Sequence, residues 1–122
     1  MNFNYSLKSK RLNKQSQFTY VFKNCIKKET HLLKGYCAKA QNPDNPGIAI
    51  VINRKFGNAV KRNRYRRIIR EIIRHNQYSL TTSKDLILIL KRTNKDLGYK
   101  DIQETLRQLL EQLTIWKTND AL

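Results

Sequence analysis

The apolar positions of this chain recur with a three-and-four spacing in three stretches, which predicts three helices. The first is expected over about 13–25 with Asn13 as its N-cap, the second over about 57–77, and the third over about 99–116. The apolar faces hold Phe18, Val21, Phe22 and Cys25 in the first helix, Tyr65, Ile68, Ile69, Ile72 and Ile73 in the second, and Ile102, Leu106, Leu109, Leu110 and Leu113 in the third. Each face would be buried against the rest of the domain.

Strands are predicted between these helices. A strand over 31–40, with a bend at Gly35, would place alternate side chains on two faces. One face holds Leu33 and Cys37, and the other holds Lys34, Tyr36 and Ala38. A second strand over 48–53 is rich in β-branched residues, which favour strands. Its faces are Ile48, Ile50 and Ile52 on one side and Ala49, Val51 and Asn53 on the other.

A third apolar run, from Leu86 to Leu90, is flanked by Asp85 and Lys91. It is apolar throughout, which is typical of a strand covered on both faces. Polar and turn-forming residues predict loops at 41–47, 81–84 and 93–98.

The predicted order is helix, two or three strands, helix, strand, helix. This is an α+β chain, a two-layer α/β sandwich on one small sheet, and the strand–helix–strand passage would by default be right-handed. The 122 residues are expected to form one domain, with a polar, loosely ordered segment over 1–12.

The charge balance indicates that the protein works in a complex with a polyanion. Twenty-five Lys and Arg against nine acids give a net charge of +16, which a polyanion would neutralise. No apolar run approaches the roughly 20 residues of a membrane span, and the N-terminus has no secretion-signal pattern, so a cytoplasmic location is expected. Cys25 and Cys37 form no C-x-x-C motif and are expected to be reduced thiols, with a disulfide between them as the alternative.

Nothing in the sequence predicts a catalytic site in the protein. His31 and His75 have no recognisable triad partners, and no glycine-rich phosphate loop is present. Asp85 and Asp101 are single carboxylates, which are usually solvated, so no metal site is expected in the protein.

The segment 54–74 is the strongest functional signal. It contains nine Lys or Arg and one acid, Glu71, and like charges four apart destabilise a helix unless a partner compensates them. A ridge of arginines opposite the isoleucine face suits an array of phosphates, as in a folded RNA. The ridge residues are Arg62, Arg66, Arg70 and Arg74.

Other polyanion partners fit this segment less well. A membrane or calmodulin-like role would leave the isoleucines exposed, although they are better used as core. A DNA-binding helix-turn-helix is disfavoured because no second helix lies a short turn away. A structural RNA-binding protein stays open as the second interpretation.

Three aromatic residues give a weaker signal. Periodicity alone favours core positions for Phe18 and Phe22 and leaves Tyr36 open, since Tyr36 shares its strand face with Lys34. Exposed aromatic side chains beside lysines would instead stack the bases of a single strand.

The segment from Arg54 to Glu71 resembles the signature of the bacterial ribonuclease P protein subunit. A basic pair precedes G-x-A-V-x-R-N-R, which is followed by a second basic pair, two aliphatic residues and Arg-Glu. Arg11-Leu12 with the first helix, the later strands and the terminal helix agree with the same family, over about residues 5–115. Phe56, Tyr65 and Asn53 depart from its usual residues, the first two as core enlargements.

The resemblance implies a ribosomal protein S5 domain 2-like fold with a mixed sheet, an αβββαβα order and a left-handed crossover. It implies a protein that binds the catalytic RNA of ribonuclease P, in a 1:1 complex, and precursor tRNA, whose 5′ leader is removed. Hydrolysis would be performed by the RNA with Mg²⁺, without catalytic residues, cofactor or metal in the protein.

The resemblance also assigns residues. The RNA-binding residues, together with the ridge arginines, would be Arg54, Lys55, Asn58, Lys61, Arg62, Asn63, Arg64, Arg66, Arg67, Arg70 and Arg74. The leader-binding residues would be Phe18, Phe22, Tyr36, Val51 and Asn53.

Overall fold

Three α-helices and a four-stranded sheet follow one another in the order αβββαβα, as predicted. The computed structural model describes residues 15–41, 46–76, 84–93 and 96–115. The elements are α1 (Gln15–Asn24), β1 (Ile26–Glu29), β2 (Leu33–Lys39), β3 (Ile48–Ile52), a 3₁₀ turn (Arg54–Phe56), α2 (Ala59–His75), β4 (Lys84–Leu90) and α3 (Tyr99–Gln112).

The sheet has the strand order β1-β2-β4-β3 and is mixed. β1 with β2 and β2 with β4 are antiparallel, whereas β3 and β4 are parallel neighbours joined through α2. Helices α2 and α3 cover one face, so the α+β sandwich is confirmed. Helix α1 crosses the opposite face, where it contacts β2 and β4.

The main core lies between the sheet and the pair α2 and α3. Alternate residues of β2 and β4, such as Leu33, Cys37 and Leu88, point into it and are buried, as their alternation predicts. Gly35 belongs to the same face and its register with both neighbouring strands is unbroken, so the expected bend is absent. A Cβ at Gly35 would lie 2.9 Å from Leu109 Cδ2, which shows that the glycine lets α3 approach the sheet.

The opposite face is covered only in part. Val21 of α1 packs on Ala38, Ala49 and Ile87, all of them buried. The next row across the sheet is more open, since Val51 is 37% exposed. We call this row the open row; from β3 to β1 it consists of Val51, Ile89, Lys34 and Glu29.

Two further sequence expectations fail locally. Strand β1 was not located, because Ile-Lys-Lys-Glu has no apolar alternation and all four residues are exposed. Asp85 is not solvated: it lies inside β4, is 5% exposed, and its Oδ1 accepts a hydrogen bond of 2.8 Å from the Gly47 N–H.

Other expectations fall on parts of the chain that the structure does not describe. These are the loosely ordered segment 1–12, the cap at Asn13, the ends of two helices at Gln77 and Trp116, and parts of the loops 41–47, 81–84 and 93–98.

Candidate nucleic-acid interface

Two asparagine caps shape the entry to the basic helix. Asn53 Oδ1 accepts a hydrogen bond of 2.8 Å from the Lys55 N–H and so starts the 3₁₀ turn that carries Arg54 and Lys55. Asn58 Oδ1 accepts one of 2.9 Å from the Lys61 N–H and caps α2. The sequence predicted both asparagines as site residues, and their side-chain oxygens also build the backbone that presents the basic pair.

The buried face of α2 fixes its orientation. Tyr65 is fully buried, its ring meets that of Phe56 edge-on at 5.1 Å, and its hydroxyl accepts a hydrogen bond of 3.2 Å from the Leu97 N–H. The two residues that depart from the family pattern on this side are therefore core residues, as expected. Ile69 and Ile72 continue the face.

The arginine ridge lies beside this buried face, and its four side chains are half-buried. A shallow groove along it is lined by Asn63, Arg66, Arg67, Arg70 and Glu71. Arg66 Nη1 donates to Asn63 Oδ1 at 3.2 Å, so the asparagine orients this guanidinium within the groove. The groove combines several guanidinium groups with one carboxylate, and it can accept an anionic ligand.

Two of the predicted basic residues already have acidic partners. Arg74 Nη2 donates to Glu71 Oε1 at 2.7 Å, and His75 Nε2 lies 3.0 Å from the same oxygen. Lys61 Nζ lies 3.4 Å from Asp96 Oδ1. The Nε atoms of Arg62 and Arg74 are both buried and have no hydrogen-bond partner in the described part of the chain.

The three predicted aromatic residues form one cluster on the sheet face that α1 covers. Phe18 and Phe22 stack with ring centroids 6.5 Å apart, and Phe22 meets Tyr36 edge-on at 5.0 Å. Phe22 is 46% exposed. The core position that periodicity favoured for Phe22 is therefore wrong. The cluster lies on the same sheet face as the open row, and we call the cluster and the open row together the aromatic cleft.

Val51 lies on the floor of this cleft at the β3 end of the open row, 37% exposed. Asn53 follows two residues later beside the basic pair and is exposed. The leader-binding set predicted from the sequence thus spans α1, β2 and β3. The RNA-binding set lies on the 3₁₀ turn and on α2.

Two charged residues near these surfaces were not predicted. Lys27 of β1 lies over the Tyr36 ring, with Nζ 5.7 Å from the centroid, and Asp96 pairs with Lys61. The residue pattern of a single sequence does not predict contacts between residues of different elements. The excess of lysine in β1 was the one available hint.

The structure also bears on other classes of site. Residues 15–41, 46–76, 84–93 and 96–115 hold no group of three or more His, Cys, Asp or Glu side chains arranged to bind a metal ion. Among the helices in these ranges, none has the length and apolarity that crossing a membrane requires. Cys37 is a free, buried thiol, and burial raises its pKa.

Comparisons with known proteins agree with this geometry. The family model described as Ribonuclease P matches residues 7–114. The ribonuclease P protein component of Clostridioides difficile is 31% identical over 116 residues, which cover 94% of this chain and 98% of that protein.

Solved structures of bacterial RNase P proteins have the same fold. The Staphylococcus aureus protein matches with a TM-score of 0.77 and 26% identity, over 90% of this chain and 100% of the other. The Thermotoga maritima protein matches with a TM-score of 0.74 and 25% identity, over 84% of this chain and 96% of the other. The family model, the similar sequences and the fold lead to one assignment: the chain belongs to the ribonuclease P protein family.

Proposed function

We propose that this chain binds the catalytic RNA of ribonuclease P through α2 and the preceding 3₁₀ turn, and binds the 5′ leader of precursor tRNA in the aromatic cleft. The observation that carries the proposal is the exposed ring of Phe22, held between Phe18 and Tyr36. An aromatic cluster that stays open to solvent beside a strongly basic helix suits single-stranded RNA, whose bases stack and whose phosphates need cations.

The basic surface supplies the second half of the proposal. Three arginines of α2, Arg66, Arg67 and Arg70, line a groove, and the caps at Asn53 and Asn58 hold Arg54 and Lys55 at the start of the helix. Guanidinium groups bind phosphate with two parallel hydrogen bonds, which suits an irregular RNA backbone.

In this proposal the protein positions RNA and the RNA subunit performs the hydrolysis with bound Mg²⁺. The basic side chains of α2 and the 3₁₀ turn lower the electrostatic repulsion between the catalytic RNA and the precursor tRNA. The complex would contain one protein per catalytic RNA and would act in the cytoplasm.

The test is cleavage of a 5′-labelled precursor tRNA by a bacterial ribonuclease P RNA at limiting Mg²⁺, with and without the protein. We expect leader removal at the mature 5′ end to require the protein under these conditions. The protein's contacts should lower the Mg²⁺ concentration that the reaction needs, because they replace part of the cation atmosphere.

The second candidate is a structural RNA-binding protein, which the charge of +16 alone would equally permit. If the RNA cleaves equally well without the protein at every Mg²⁺ concentration, while the protein still binds RNA tightly, this second function replaces the first.

A further inference from the structure

The sheet face with the aromatic cluster also carries two lysines that the proposed function leaves unused. Strand pairing places Lys27 of β1 opposite Tyr36 of β2, and Glu29 opposite Lys34. Because directly paired residues point to the same side of a sheet, all four side chains share the face of the cleft. The cleft therefore has a basic end at β1.

This basic end is continuous with the rest of the cleft. The open row begins with Val51 on β3, three residues before the basic pair starts at Arg54, and reaches Lys34 on β2 and Glu29 on β1. Four strands about 4.8 Å apart give the row a span of about 14 Å. A single strand that leaves the start of α2 can cross the sheet along this row, beside the aromatic cluster.

The only carboxylate in this row is already engaged. Glu29 bonds to Lys91, whose Nζ also donates to the Thr30 carbonyl at 2.6 Å. The Lys91 ammonium, with smaller contributions from Lys27 and Lys34, holds the pKa of Glu29 below its ordinary value. Within the described ranges, Lys27 and Lys34 have no acidic partner at ion-pair distance.

We propose that Lys27 and Lys34 form a phosphate-binding extension of the aromatic cleft, which holds the backbone of single-stranded RNA beyond Tyr36. The inference rests on the proposed function and names a further part of the same site. A base that stacks on Tyr36 displaces the Lys27 ammonium from the ring, and its flexible stem carries it to the adjacent phosphate.

The experiment compares binding of two precursor tRNAs to the reconstituted holoenzyme, one with a leader of about two nucleotides and one with about ten. The test variants are Lys27→Gln and Lys34→Gln. The matched control is Lys28→Gln, which removes an exposed lysine from β1 on the opposite face of the sheet. We expect each test variant to bind the long-leader substrate about three- to tenfold more weakly, with a salt slope smaller by about 0.7. Short-leader binding, and both substrates with the Lys28 variant, should be unchanged.

The other outcomes separate the two proposals. Equal losses for both leader lengths, or for all three variants, would mean that only the overall charge matters and would overturn the extension. If the unaltered protein gains affinity from a long leader and both test variants keep that gain, the extension fails and the proposed function stands. No gain from a long leader in the unaltered protein overturns both. Thermal unfolding of each variant, and rescue by Lys27→Arg, distinguish a phosphate contact from a folding defect.

Discussion

At the scale of single residues, exposure separates the aromatic side chains that build the core from those available to a ligand. Tyr65 is fully buried with its hydroxyl hydrogen-bonded, whereas Phe22 leaves 46% of its surface in solvent. Both are large aromatics on helices with apolar periodicity. The difference comes from their neighbours: Tyr65 packs in the main core against Phe56 and Leu97, while α1 lies over a sheet face that it covers only in part.

This contrast predicts the effect of Phe22→Ala. We expect the preference of the holoenzyme for precursor tRNA over mature tRNA, as a difference in binding free energy, to fall by about 1–3 kcal/mol. This is the usual contribution of one base–aromatic stack. The free energy of unfolding should fall by less than the about 3–5 kcal/mol of a buried phenylalanine. Tyr99→Ala is the control, since Tyr99 is a 38% exposed aromatic residue on α3. A full core-sized loss of stability with an unchanged preference for precursor would contradict a stacking role.

The buried thiol of Cys37 yields a prediction about pH. Desolvation raises its pKa above the ordinary thiol value, with a smaller opposing effect from Lys84, so the reactive thiolate is scarce at pH 8. We expect iodoacetamide to modify the half-buried Cys25 first, as followed by mass spectrometry of the folded protein. The buried neutral thiol contributes to the free energy of unfolding. This contribution is complete below the ordinary thiol pKa and is lost as the pH rises through the higher pKa of Cys37 in the folded protein. Faster alkylation of Cys37 than of Cys25 would contradict its burial.

At the scale of elements, helix ends show how the site is assembled. The two asparagine caps at positions 53 and 58 satisfy backbone N–H groups and set the direction of the basic segment. Helix α3 starts differently. Its N-cap is Gly98, which has no side chain, and only the reverse half of a capping box is made, with Asp101 Oδ2 accepting the Gly98 N–H at 2.9 Å.

Gly98→Ser should therefore stabilise the protein. Gly98 has φ −86° and ψ 171°, which serine adopts without strain, and a Cβ there meets its first neighbour only at 3.5 Å. The serine oxygen would complete the capping box and reduce the freedom of the unfolded chain, which together contribute about 0.5–1 kcal/mol. Urea unfolding measures this change. Gly35→Ala, which places a Cβ 2.9 Å from Leu109, is expected to destabilise the protein and serves as the opposite control.

The elements also show how far the sequence could predict this protein. Helices α2 and α3 and the faces of β2 were predicted correctly, because their burial follows local periodicity. The basic residues of α2 were equally accessible to prediction, since they lie on a single helix. Strand β1 was missed because its pairing depends on β2 and not on its own composition.

The remaining differences arise from contacts between distant parts of the chain. Periodicity places Phe22 on the apolar stripe of α1, yet it cannot show that the sheet ends short of covering that stripe. The pair of Lys61 with Asp96 and the contact of Lys27 with Tyr36 depend on the folded arrangement of elements.

At the scale of the whole molecule, the charge of +16 determines how the protein meets its partner. Among the described residues, four Lys or Arg side chains form ion pairs with acids, and the paired side chains are mostly exposed. Exposed pairs of this kind contribute little to stability. Binding of RNA should therefore be steeply dependent on salt, because each phosphate contact releases counterions.

Arg67→Ala tests which charges take part. Arg67 is exposed in the groove of α2, so its loss should reduce the slope of log affinity against log salt for the catalytic RNA by about one unit, uniformly across RNA sequences. The comparison is Lys100→Ala, an exposed cation at the start of α3, for which we expect no change of slope. Equal salt slopes for both variants would contradict a specific contact between α2 and the RNA.

The hydrogen bond from the Leu97 N–H to the Tyr65 hydroxyl lies on the buried side of α2. Leu97 is 5% exposed, so its amide can exchange with deuterium only when the segment before α3 separates from α2. An RNA that docks on the outer face of α2 never reaches this amide. It should nevertheless slow the exchange, because a helix held from outside opens less often. The exchange rate of this one buried amide thus reports whether RNA is bound on the opposite side of the helix.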